Sequence, residues 1–219
     1  MDDREIKTGD NATVDLVFSE PICAVSSDCA IVFPTNRISH PSGNLSTMSS
    51  SQANDNKTIW TGTFTPTANT EDATNTLLLS NYTDLAGNIG PDNQTENYVV
   101  DAKSPTATFY ISDTTLRRND NATVDLVFSE PVIGFDSDSD ITIPNLDQEP
   151  LHDNNTPSGT WLSPMISSDN ITWTGTFMPT FPNTEDWDNR LTLDNASYTD
   201  YDYNAGSGAT SDIYMVDDR

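Results

Sequence analysis

Positive charge is what this chain most lacks: nine Lys and Arg stand against 34 Asp and Glu, a formal net charge of −25. Such a surface repels phosphate backbones and anionic lipid headgroups alike, so nucleic acid is excluded as a partner. Long apolar runs are missing too. None approaches the roughly 18 residues that a membrane helix needs, so no insertion into a bilayer is expected. The two histidines, His40 and His152, and the two cysteines, Cys23 and Cys29, form no cluster at zinc spacing. The cysteines either close a small disulfide in an oxidising compartment or remain free thiols. Neither histidine stands in a nucleophile context with Ser or Cys, and no enzyme is expected. The opening "MDDREIK" has no apolar signal stretch. Either the protein is cytoplasmic or, the preferred reading, this is a piece excised from a longer chain with Met1 added.

What the chain does have is repetition. "DNATVDLVFSEP" from Asp10 to Pro21 returns unchanged from Asp120 to Pro131. "WTGTF" at Trp60–Phe64 recurs at Trp173–Phe177, each followed by one residue and Pro-Thr. Asn69-Thr70-Glu71-Asp72 matches Asn183-Thr184-Glu185-Asp186, Tyr82-Thr83-Asp84 matches Tyr198-Thr199-Asp200, and Val100-Asp101 matches Val216-Asp217. The offset drifts from 110 to 116 along the chain, as expected when small insertions fall in loops while strands keep register. Two tandem modules follow, residues 1–101 and 102–219.

Within each copy the pattern is that of strands. Val14, Leu16 and Phe18 alternate with Asp15 and Ser19, the period of two that turns one face to a core and the other to solvent. Trp60, Gly62 and Phe64 alternate with Thr61 and Thr63 in the same way. Further strands are predicted over 30–33, 44–49, 75–80 and 97–100, bounded by Pro, Gly, Asn or Asp. No segment shows a helical period. Short strands at this spacing, about seven per 100 residues, predict an all-β chain of two immunoglobulin-like β-sandwiches. The linker "DAKSPTATF", Asp101–Phe109, is short and stiffened by Pro105. Trp60 and Trp173, at equal places in both copies, are expected to pack in the cores rather than stack on sugars.

"SEP" after an alternating strand, "WTGTFTPT", "NTEDATNTL", "YTDLAGNIG" and a Val-Asp-x-x-x-Pro-Thr junction together resemble the bacterial immunoglobulin-like repeats of giant surface adhesins, including RTX and biofilm-associated adhesins. The second copy departs at "YTDYDYNAGSG", where Asp202-Tyr203 replace Ala86-Gly87. The resemblance implies an extracellular array of modules on a bacterial cell surface, rigidified by calcium and carrying a binding tip outward. The partners implied are neighbouring modules of the same chain and, through other regions, a host or substrate surface ligand. The chain itself is expected to be a monomer.

An acidic surface attracts cations, and Ca²⁺ takes about six to eight oxygen ligands at flexible geometry, where Mg²⁺ demands a tighter octahedron. In a sandwich, the loop after the second strand and the last loop lie at the end where the chain comes in. That scheme brings Glu130, Asp138, Asp200 and Asn204 of the second module toward Asp101 at the end of the first. The equivalent set in the first module is Glu20, Asp28, Asp84 and Asn88. At the far end, Asp217 repeats the position of Asp101. "DSDSD" at Asp136–Asp140 has the alternating acids of a helix-loop-helix calcium site but lacks its Gly and distal Glu, and reads as a sandwich loop contributing one ligand. Two other classes share this fold. One is a module that binds a glycan or surface protein through residues such as Gln148–Ser163, with Trp161 and Trp187 as candidate contacts. The other is an accessory module of a secreted hydrolase.

Overall fold

The computed structural model describes residues 1–23, 32–50, 58–146, 156–180 and 186–217. Two compact units divide the chain, Met1–Lys103 and Ser104–Arg219, and both are β-sandwiches. Among the described residues no helix is long and apolar enough to cross a membrane.

In the first unit, the Ala12–Val17 strand runs antiparallel to Ile59–Pro66, with Val14 opposite Gly62 and Leu16 opposite Trp60. Ile59–Pro66 also pairs with Gly43–Leu45 and Met48–Ser50, and Met48–Ser50 with Val32–Phe33. The facing sheet holds Tyr98–Asp101 between Glu5–Lys7, which it meets in parallel, and Glu71–Asn75, which it meets antiparallel. Period-two alternation sends Val14, Trp60, Phe64, Tyr98 and Val100 inward, all within 2% of complete burial. Asp15 stays outside and accepts a hydrogen bond from Thr61 Oγ1 across the strand pair at 2.6 Å.

The second unit repeats the plan, with Ala107–Ile111 added beside the strand equivalent to Ala12–Val17. Ala122–Phe128 pairs with Thr172–Pro179 on one side and with Ala107–Ile111 on the other, both antiparallel. Gly159–Trp161 extends the sheet. In the facing sheet Tyr214–Asp217 lies parallel to Thr115–Arg117 and antiparallel to Asp186–Asn189. Thr174 Oγ1 donates to Asp125 at 2.7 Å, the twin of the Thr61 bond. Its core joins Phe109, Leu116, Val124, Leu126, Phe177 and Val216. Trp60 is fully buried beside Phe33, and Trp173 is half-buried edge-on to Phe135, so the core role expected of both holds.

Three expectations change in detail. The run predicted over 75–80 divides into Glu71–Asn75 and Leu78–Leu79, because buried Asn75 turns its amide onto the Asp72 and Tyr98 carbonyls and ends the ladder. The run over 44–49 divides into Gly43–Leu45 and Met48–Ser50. Residues 30 and 31 of another predicted strand lie outside the described residues, and Val32–Phe33 remain as strand. The loop expected at "DSDSD" contains a single helical turn, Ser137–Asp140. Asp136 caps it by accepting from the Asp138 backbone N–H at 3.0 Å, and Asp140 accepts from the Asp136 N–H at 2.8 Å. A one-turn helix is too short to show a period. A 3₁₀ turn at Thr35–Arg37 escaped for the same reason.

Candidate functional site

Each unit ends at one pole in a turn built from an aspartate and an asparagine four residues later. In the second unit, Asp200 closes the strand Thr199–Asp200, which pairs antiparallel with Val132–Ile133 so that Asp200 stands opposite Val132. Its carboxylate accepts from the backbone N–H of Asn204 at 2.9 Å and from the Asn204 side-chain amide at 2.8 Å. Both residues are almost fully buried, at 2% and 1% exposure. The turn closes through Tyr203 N–H to the Asp200 carbonyl and Gly206 N–H to the Tyr198 carbonyl.

Glu130 follows the Ala122–Phe128 strand by two residues, and its carboxylate lies within 4.8 Å of that of Asp200. This pole is where the chain comes into the second unit. Ser129 N–H donates to the Thr106 carbonyl at 2.8 Å, and Ser207 N–H to the Pro105 carbonyl at 2.9 Å. The Tyr198 hydroxyl sits 2.8 Å from the Ser207 carbonyl and 3.2 Å from that of Pro105, and burial pushes its pKa up to about 12. The geometric scheme therefore brings Glu130, Asp200 and Asn204 together within the unit. Asp138 is different: it is exposed on the helical turn, and among the described residues it does not join the Glu130–Asp200 cluster.

The first unit builds the same turn at its own pole. Asp84 accepts from the Asn88 backbone N–H at 2.8 Å and from the Asn88 amide at 2.6 Å. Those two bonds, the side chain's first, hold the Asp84 carboxyl below the ordinary carboxylate range. Glu20, Asp84 and Asn88 line one cleft of about 300 Å³ with Tyr82 and Ile89. Asp28 lies outside the described residues, as do Cys29 and residues 148–155 of the segment 148–163.

The replacement of Ala86-Gly87 by Asp202-Tyr203 leaves the turn unchanged. Gly87 has φ +89° and Tyr203 has φ +63°, so a tyrosine adopts the left-handed conformation that glycine takes without strain. Gly90 and Gly206 are kept for another reason, since a Cβ on either would overlap the ring of Tyr82 or Tyr198.

Asp101 and Asp217 end equivalent strands. Asp101 stands in register opposite Lys7 within the first unit, and Asp217 opposite Arg117, whose guanidinium lies 3.6 Å from its carboxylate. Both acids thus face a basic residue across a parallel strand pair. Sequence reasoning missed this because Lys7 and Arg117 are far from their partners along the chain. Of the unmatched tryptophans, Trp161 packs edge-on to Phe177, while Trp187 is 56% exposed.

Two sandwiches in series, each with its Asp–Asn turn, define the class as tandem β-sandwich modules of immunoglobulin type. The chain belongs to the bacterial Ig-like domain family, whose model matches residues 1–100 and again 101–216. No curated protein matches the chain.

Proposed function

We propose that the chain is an extender segment of a large bacterial surface adhesin of the RTX or biofilm-associated kind, working outside the cell and structural rather than catalytic. Ca²⁺ binds at the junction of the two modules and limits their bending. The observation that carries this reading is the meeting of Glu130 and Asp200 within 4.8 Å at the pole where the chain comes in. Asp101 precedes Pro105 by four residues, so covalent geometry keeps their Cα atoms within about 14 Å. The donor set fits the ion. It consists of carboxylate, amide and backbone oxygens, hard ligands with no sulfur or imidazole, and two carboxylates this close repel one another unless a cation lies between them. Glu130, Asp200, Asn204 and Asp101 would hold the ion, with Asp138 a weaker candidate because of its exposure. Glu20, Asp84 and Asn88, with Asp28, form the corresponding set of the first module, and Asp217 that of the far end. An affinity of about 10⁻⁴ to 10⁻³ M serves outside cells, where calcium is abundant.

Small-angle scattering and calorimetric titration test this together. Calcium is expected to narrow the spread of radii of gyration and raise the melting temperature, and chelation to reverse both. Glu130→Ala is expected to weaken binding more than Glu20→Ala. A scattering profile indifferent to calcium would refute the reading. The exposed indole of Trp187 favours a second reading, a glycan-contacting module, over the half-buried Trp161 as its contact. Loss of glycan binding on Trp187→Ala would support it.

A further inference from the structure

The sheet that holds "WTGTF" turns its threonines outward in both units, Thr61 and Thr63 in the first and Thr174 and Thr176 in the second. The neighbours of those threonines are not alike. Ser49 stands opposite Thr61, and Ser46 N–H donates to the Thr63 carbonyl. At the equivalent places Ile166 stands opposite Thr174, and Leu162 N–H donates to the Thr176 carbonyl. Thr65, at the end of the first strand, is likewise replaced by Met178. Ile166 is 75% exposed and Leu162 54%, and Met178 is exposed opposite Thr160. The first unit folds with Ser and Thr at all three places, so the sandwich itself does not require apolar side chains there.

Register carries this patch across the sheet. Tyr110 stands opposite Asp125, Asp125 opposite Thr174 and Thr174 opposite Ile166, one row over four strands. In the next row Ser112 N–H donates to the Thr123 carbonyl, Thr123 stands opposite Thr176, and Leu162 follows. Among the described residues of these two rows Asp125 carries the one charge, and it is half-buried and accepts from Thr174 Oγ1 at 2.7 Å. A face this poor in charge, on a chain of net charge −25, has the composition of an interface core. The first row also has a direction, with an aromatic ring at one end, Tyr110 at 59% exposure, and an aliphatic side chain at the other. A half-turn about an axis along the strands, midway between Ala122–Phe128 and Thr172–Pro179, keeps the rows and reverses the strand order. It sets Tyr110 of one copy against Ile166 of the other and Asp125 against Thr174, so no carboxylate meets a carboxylate. Aligned sheets pack face to face in this manner.

We propose that this outer face of the second unit is a contact surface for the same face of a second copy of the chain, paired sheet on sheet. Four strands about 4.8 Å apart and rows about 7 Å apart give a patch of about 300 Å². A stable complex buries about 800 Å² per partner, so the contact is weak and the dilute chain stays single. Pairing appears where copies are held at high local concentration. Added salt strengthens it, because salt screens the repulsion between two acidic copies and leaves the apolar contact in place. The surface is separate from the calcium reading and does not depend on it.

Sedimentation equilibrium of the whole chain, up to about 1 mM and at low and high salt, reads the pairing. The average mass is expected to rise toward that of two copies at the top of the range, and to rise further with salt. Ile166→Ser places in the second unit what the first already has, and is expected to weaken pairing at least about tenfold, since in a twofold contact each substitution acts twice. Tyr110→Ser, at the other end of the row, is expected to do the same. Both variants should keep the wild-type melting temperature, because both side chains lie outside the core. Leu85→Ser, an exposed apolar residue of the first unit, should leave pairing unchanged. A chain that stays single at about 1 mM in high salt, pairing that survives Ile166→Ser, or equal weakening by Leu85→Ser would each overturn the proposal. So would binding to neutral phosphatidylcholine vesicles in place of pairing, which would make a bilayer the occupant.

Discussion

Twelve identical residues, Asp10–Pro21 and Asp120–Pro131, fold into the same strand in two different neighbourhoods. The second copy is an inner strand with Leu126 at 0% exposure, whereas the first, among the described residues, is an edge strand whose Leu16 is half-buried. Identical letters give the same pairing, down to the Thr–Asp bond across the pair, but the strand ends at Val17 in one copy and at Phe128 in the other, and burial is set by what packs beside it. The Asp–Asn turns teach the converse. "DLAGN" and "DYDYN" differ at three of five positions and still make the same pair of bonds to the first aspartate. Those bonds are made by the two shared end residues, and the intervening ones only have to reach the backbone angles.

The sharpest way to break the comparison is to truncate the equivalent leucines. Leu126→Ala is expected to cost about 3 kcal/mol in the second unit, and Leu16→Ala about half of that in the first, because only Leu126 leaves a closed cavity. Differential scanning calorimetry of each variant against the wild-type chain reads both. Equal losses would mean that the two strands are covered alike.

A smaller effect is expected from the turns. Tyr203→Gly removes left-handed strain and is expected to stabilise the second unit by up to about 1 kcal/mol, net of the added freedom of the unfolded chain. Gly87→Tyr should destabilise the first unit by a similar amount, and chemical denaturation of the pair would show mirror-image shifts. Smallest is the acid response of the exposed turn. The Asp84 carboxyl is held low by Asn88 in the folded unit, so its contribution is present above the unfolded value near pH 4 and disappears as pH falls through the folded one. A carbon-13 titration of Asp84 in wild type and in Asn88→Ala should show the midpoint move upward in the variant.

Much of the architecture could be read from the letters. Alternation placed Val14, Trp60, Phe64 and their twins in the cores, and repetition located the two modules. The meeting of Glu130 with Asp200 and Asn204 followed from strand order alone, since a strand that ends beside the incoming chain must bring its last residues there. What escaped depended on single turns or distant partners. The capped turn at Ser137–Asp140 is too brief to leave a period, and it lifts Asp138 to the surface. The positive φ of Tyr203 is invisible because tyrosine rarely adopts it. The basic residues facing Asp101 and Asp217 lie nearly a whole module away in sequence.

The parallel pairing of Glu5–Lys7 with Tyr98–Asp101, and of Thr115–Arg117 with Tyr214–Asp217, has a mechanical side. Two parallel neighbours leave their pairing at opposite ends, so a pull on the two ends of a module slides one strand lengthwise along the other. The bonds between them then take the load together instead of parting one at a time like a zip, so each module resists tension where its last strand lies against this parallel neighbour.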